Sequence, residues 1–104
     1  MPAPVVVDLD RNDVKAALAS GNGTIIDVRE PAEFAAGHIP GSVNMPLSEF
    51  DPHALPEGRV ILSCAAGIRS VHAALLAQAA GRDVREHYKG GFKDWVGAGE
   101  AIEW

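Results

Sequence analysis

Cysteine occurs once in this 104-residue chain, at Cys64, and a single thiol excludes any internal disulfide. Cations are also scarce. Nine Lys and Arg stand against 14 Asp and Glu, a formal net charge of −5, which argues against nucleic acid or an anionic membrane as partner, since both want clustered positive charge. No apolar run approaches the length of a membrane span. The segment "MPAPVVVDLD" has neither a basic stretch nor a long apolar one, so no secretory signal is expected and the cytoplasm, where a free thiol survives, is the expected compartment. His38, His53, His72 and His87 are scattered without ligand spacing, so no metal site is expected. Repeats, low-complexity tracts and linkers are absent too.

What remains is 47% apolar and 22% charged, enough to bury a modest core, and the length suits one domain spanning 1-104, most simply a monomer. Val5 to Val7 reads as a short strand, and Asp10 stands where an N-cap would precede a helix carrying Val14, Ala17 and Leu18. "TIIDV", Thr24 to Val28, reads as a strand buried on both faces. Pro31 opens a short helix that ends at Gly37. An extended piece follows around Val43, and a proline-punctuated turn leads to the strand Val60 to Cys64. From Ser70 the pattern predicts a helix with Val71, Ala74, Leu75 and Ala79 on one face, stopping at Gly81. Val84 to Tyr88 closes the strand set, and a last helix carries Phe92, Trp95 and Val96 inward. Alternating strands and helices with such short connections imply an α/β fold, a mostly parallel sheet with helices on both faces and sites beyond the carboxyl ends of its strands.

Cys64 lies at one of those ends. Between it and the next helix, Ala65 to Arg69 form a loop whose backbone N–H groups can converge above the sulfur, with Gly67 making the curl easy. The helix start adds its positive dipole end and Arg69 a formal charge. All favour thiolate over thiol, and they would equally stabilise a persulfide or a phosphate ester on that sulfur. A lone cysteine ending an apolar strand is ordinarily a small core residue, but a core residue needs no such cradle. Asp27, Arg29 and Glu33 are expected to be structural: a buried aspartate bonding loop amides, with Arg29 and Glu33 paired beside it. Gly90 and Gly91 are expected to supply unusual backbone angles at a turn, and Trp95 to pack in the core.

The loop Cys64-Ala65-Ala66-Gly67-Ile68-Arg69-Ser70 resembles the C-x-x-G-x-R-S loop of single-domain rhodaneses, a sulfurtransferase family. "IIDVREPAEFAAGHIPGSVNMP", Ile25 to Pro46, resembles the family's D-V-R-x-x-x-E-F-x-x-G-H-I-x-G-A-x-N-x-P segment, with Ser42 where alanine is usual. "KGGFKDW" matches its G-G-x-x-x-W ending at Gly90, Gly91 and Trp95, and the likeness runs from about Leu9 to the end. The resemblance implies a rhodanese-like three-layer fold around a five-stranded sheet. It implies a double displacement with no cofactor: the Cys64 thiolate takes the outer sulfur of thiosulfate or a persulfide, Ala65, Ala66, Gly67, Ile68, Arg69 and Ser70 hold the Cys64 persulfide, and cyanide, a thiol or a sulfur-relay protein accepts the sulfur. His38, in the G-H-I turn, becomes a structural support with Asp27 and Arg29, and Gly90, Gly91 and Phe92 line the entrance. Related phosphatases of the same fold carry five residues between cysteine and arginine; the four here favour sulfur over phosphate. Ala65, Ala66 and Ile68 are uncharged, so thiosulfate is expected to bind weakly and a persulfide or partner protein to be the better donor. A partner-docking or redox-sensing module, with Cys64 as a modifiable thiol, is the competing reading.

Overall fold

A computed structural model describes residues 3–104. Five strands form one sheet: β1 (Val7–Leu9), β2 (Thr24–Asp27), β3 (Val43–Asn44), β4 (Val60–Ser63) and β5 (Glu86–Tyr88). Their order is β1-β5-β4-β2-β3, and every pairing is parallel. The helices are α1 (Arg11–Ser20), α2 (Pro31–Ala35), α3 (Arg69–Ala79) and α4 (Gly91–Gly97), with two single-turn 3₁₀ helices at Leu47–Glu49 and Pro52–Ala54. None of the described helices is long and apolar enough to cross a membrane.

Alternation along the two central strands divides the core between the faces. Ile26, Val28, Val60, Leu62 and Cys64 meet α3 alanines and Leu55 on one side; Ile25 and Ile61 meet Val14 and Ala17 of α1, Tyr88 and Trp95 on the other. Side chains of period two, apolar on both parities, are what a strand sandwiched between helical layers requires. From β2 the chain moves outward to β3, and from β4 it moves the opposite way to β5. The carboxyl ends of β2 and β4 therefore flank the point where chain direction across the sheet reverses, the position at which open α/β sheets build their sites.

Local chemistry fixes the helix ends. Asp10 Oδ1 accepts from Asp13 N–H and Asp13 Oδ2 from Asp10 N–H, both at 2.9 Å, a reciprocal cap worth about 1 kcal/mol. Pro31 does sit in the first turn of α2, which Glu30 caps. The cap at its other end is Ala36, in right-handed backbone, and Gly37 follows with φ +146°.

Several sequence expectations need correcting, among them the outer bounds of the strands, since β2 ends at Asp27, β4 at Ser63 and β5 begins at Glu86. The first strand lies at Val7–Leu9 rather than Val5 to Val7, because Val5 is held by the Gln78 side chain (2.9 and 2.7 Å) and ladder pairing with β5 begins at Val7. The buried face of α3 is Ser70, Ala73, Ala74 and Ala77, with Leu75 and Ala79 turned outward. Small side chains on that face let the helix approach the sheet closely, and it turns Ser70 toward Cys64. Val96 is 44% exposed, since α4 presents Trp95 to the core and ends two residues later. Gly90 has ordinary helical backbone (φ −71°); glycine is demanded there by Asp94, whose Cβ a side chain would meet at 2.6 Å.

Candidate active site

Cys64 is 1% exposed and follows the last residue of β4 directly. The loop after it curls back so that Gly67 N–H donates to Sγ at 3.1 Å, while the Ser70 hydroxyl lies 3.5 Å from the same atom. Gly67 makes this possible: its φ is +83°, and a Cβ there would stand 2.3 Å from the Lys89 carbonyl oxygen. Gly91 (φ +65°) is equally obligatory, since its Cβ would meet the Cys64 and Ala65 carbonyl oxygens at 2.6 Å. Those two carbonyls instead accept from Phe92 N–H (2.8 Å) and Lys93 N–H (3.0 Å), so the first turn of α4 clamps the loop from below.

Burial raises the Cys64 pKa, since a desolvated thiolate is costly. The Ser70 hydroxyl and the backbone N–H groups of Ser70, Ala66 and Gly67 more than offset this, and the thiol is held below its ordinary value. The loop thus turns N–H groups toward the sulfur, Gly67 N–H at 3.1 Å among them. Ala66 and Ile68 form its exposed rim, Ile68 at 79%, and Ala65 is half-buried between them and the sulfur.

Besides the charge it sets near Cys64, Arg69 ties two elements together. Its guanidinium makes a two-point pair with Glu33, Nη1 to Oε1 at 2.7 Å and Nη2 to Oε2 at 3.0 Å, joining the cysteine loop to α2. Arg69 beside it holds the Glu33 carboxyl far down, at about 2. Glu33 thus pairs with Arg69 and not with Arg29, because α2 brings it alongside the start of α3. Arg29 belongs to Asp27: Nε lies 3.0 Å from both carboxylate oxygens, Nη2 lies 2.7 Å from Oδ2, and Asp27 Oδ1 also accepts the Arg29 backbone N–H at 3.0 Å. Both are almost fully buried. Arg29 Nη2 also donates to Gly37 O at 2.9 Å, and its guanidinium carbon sits 4.3 Å from the centre of the Phe92 ring. Through Phe92 the pair braces the same α4 turn that clamps Cys64.

His38 is a tie for the end of the chain. Its Nδ1–H donates to Phe34 O at 2.8 Å, its ring stacks on Phe34 at 3.7 Å, and its backbone exchanges two hydrogen bonds with Glu103. Gly90 is exposed at the rim, Phe92 half-buried, and Gly91 buried beneath the loop. His72 is exposed. One histidine was missed by sequence reasoning: His87 is 1% exposed, 2.8 Å from Ser70 Oγ through Nδ1 and 2.6 Å from Asp8 Oδ1 through Nε2. The available signal was a polar residue inside a strand buried on both faces.

A cysteine cradled by N–H groups at the carboxyl end of a central parallel strand, braced by an aspartate–arginine pair on the next strand, defines the class of protein. The Rhodanese-like domain matches residues 10–98, and the chain belongs to that family. Thiosulfate:glutathione sulfurtransferase of Homo sapiens is 31% identical over 101 residues, which take in 81% of this chain and 88% of that protein. Thiosulfate sulfurtransferase GlpE of Ectopseudomonas mendocina is 40% identical over 83 residues, 75% of this chain and 74% of its own. Among solved structures, a Rhodopseudomonas palustris protein of unknown function, described as a possible tyrosine phosphatase, is 31% identical with a TM-score of 0.81, covering 94% of this chain and 85% of that one.

Proposed function

We propose that the protein is a sulfurtransferase whose carrier is Cys64. The observation that carries this is the geometry at Sγ: a buried sulfur facing Gly67 N–H at 3.1 Å and the Ser70 hydroxyl at 3.5 Å, within an arc of four residues before Arg69. The thiolate attacks the outer sulfur of the donor. With thiosulfate the S–S bond breaks, sulfite leaves with its electron pair, and the Cys64 persulfide anion remains under the N–H groups of the loop. An acceptor thiolate, such as the glutathione named for the human relative, or cyanide, then attacks the outer sulfur and Cys64 departs as thiolate. No second cysteine exists to discharge the intermediate internally. Rhodanese-family relatives active on thiosulfate support the donor class, and the match over residues 10–98 supports one rhodanese domain.

Incubation with thiosulfate and intact-mass measurement, followed by cyanide and a thiocyanate assay, tests the reading. Gain of one sulfur atom, lost in Cys64→Ser and reversed by cyanide, is expected. No adduct from thiosulfate or from a low-molecular persulfide overturns it in favour of a docking or redox module. The Rhodopseudomonas neighbour makes phosphate-ester hydrolysis the second reading. Turnover of an aryl phosphate by the wild type and not by Cys64→Ser would select it.

A further inference from the structure

With Cys64 only 1% exposed, its thiol has little direct contact with bulk water. The hydrogen bonds at Sγ define a path for its proton through the protein. Gly67 N–H is a donor only, whereas the Ser70 hydroxyl, 3.5 Å away and itself fully buried, can take a proton and pass on its own. Beyond it lie His87 Nδ1 at 2.8 Å, His87 Nε2, and Asp8 Oδ1 at 2.6 Å. The Asp8 side chain is 54% exposed, so the chain of contacts runs unbroken from the buried thiol to the surface.

We propose that Ser70, His87 and Asp8 form a proton relay that ionises Cys64, with His87 and Asp8 as positioning residues acting through Ser70. This rests on the reading of Cys64 as the nucleophile. The ionised Asp8 carboxylate only accepts, so His87 Nε2 carries a hydrogen and Nδ1 is the site that changes. In the resting thiol, S–H points to Ser70 Oγ and the Ser70 hydrogen to Nδ1. On transfer the S–H bond breaks, its proton joins Ser70 Oγ, and the former Ser70 proton moves to Nδ1. One proton moves and no electrons do: a thiolate facing a Ser70 O–H replaces the thiol, and an imidazolium facing Asp8 replaces the neutral ring. The same Ser70 O–H faces Cys64 when it departs as thiolate in the second half-reaction.

Asp8 comes from β1, opposite His87 in the ladder, and Leu62 of β4 is the apolar partner on the other side. Ser70 comes from α3 and Cys64 from the end of β4. Lys89 Nζ lies 3.9 Å from Asp8 Oδ2, and Glu86 is turned to Arg59.

Titration of Cys64 by far-ultraviolet thiolate absorbance, with Cys64→Ser as blank, reads the relay without any sulfur substrate. Burial and Asp94 push the Tyr88 phenol up, out of the working range. His87→Asn can offer an amide oxygen to accept the Ser70 hydrogen but cannot carry the proton, and the expected result is about tenfold less thiolate below the titration midpoint, a rise of about one pKa unit. Asp8→Asn, at a half-exposed position, is expected to raise the midpoint by a smaller amount. Direct loss of a negative charge would lower it instead, so a fall or no change in Asp8→Asn overturns the relay. In a Ser70→Ala background neither substitution should shift the midpoint further; full additivity overturns it too. Wild type that titrates as expected yet forms no persulfide would leave the relay standing and sink the sulfurtransferase reading.

Discussion

Two adjacent parallel strands end in opposite kinds of polar site. At the end of β2, Asp27 and Arg29 spend their charges on each other: the guanidinium grips the carboxylate, Nη2 also donates to the Gly37 carbonyl, and Nη1 reaches the Glu33 carbonyl. At the end of β4, the Ser70 hydroxyl and the N–H groups of the loop converge on a single sulfur. The first site is closed, and removing one member leaves a buried charge uncompensated. The second is open, since its donors face a sulfur whose charge and substituents can change. Burial is nearly the same at both, so satisfaction, not exposure, separates brace from reactive centre.

The sharpest way to break that contrast is to remove the sulfur. Cys64→Ser is expected to abolish persulfide formation while its denaturant midpoint reports stability within about 1 kcal/mol of wild type. Activity surviving in that variant would move the reaction elsewhere. Gly67→Ala forces a Cβ to within 2.3 Å of Lys89 O at φ +83°; displacement of the cradle should lower the thiocyanate rate by about 10²-fold, and near-normal turnover would show that the curl is not needed. Asp27→Ala is the converse of the cysteine change. It should cost about 3–5 kcal/mol in chemical unfolding, because Arg29 is left buried without its carboxylate, and a cost under 1 kcal/mol would erase the distinction between the sites.

The smallest effects concern Glu33, which bridges the two regions. With Arg69 neutralised by Glu33, the loop offers a doubly charged donor no free cation, so thiosulfate should show a KM at or above about 1 mM. Glu33→Gln releases Arg69 and should lower that KM by about two- to fivefold, the equivalent of ~0.5–1 kcal/mol, with an uncharged persulfide donor unaffected. A KM that rises instead would mean that the pair positions the loop. The pH profile carries a second sign. The Glu33 carboxyl lies at about 2 when folded against 4.5 ordinarily, so its contribution is complete above about 4.5 and fades as pH falls toward 2. Glu33 is partly exposed, so solvent screening keeps this under about 1 kcal/mol, and Glu33→Gln should flatten the acid limb of the unfolding curve by that much.

Element order was readable because each signal is local: β-branched runs, Asp10 before α1, Pro31 in the first turn of α2. The cysteine loop was readable for the same reason, its donors lying within six residues of Cys64. What escaped depended on register across the sheet and on the rotation of a helix. Asp8 and His87 meet only because β1 and β5 pair in parallel with those two positions opposite, 79 residues apart in the chain. Glu33 meets Arg69 across 36 residues, and sequence proximity suggested Arg29 instead. For α3, both candidate faces are apolar, so periodicity could not choose between Leu75 and Ala73; close packing on the sheet did, and that choice also aims Ser70 at the sulfur.

The recessed seat of Cys64 beneath the Ala66 and Ile68 rim has a consequence for which reagents reach it. In the proposed cycle the empty protein shows solvent almost no sulfur, which slows the stepwise oxidation that would end its working life at sulfinic or sulfonic acid. The loaded form carries one atom more, about 2 Å further out, and that atom is the one to be given away. Depth thus sorts callers by reach: the cargo meets the acceptor while its carrier stays indoors.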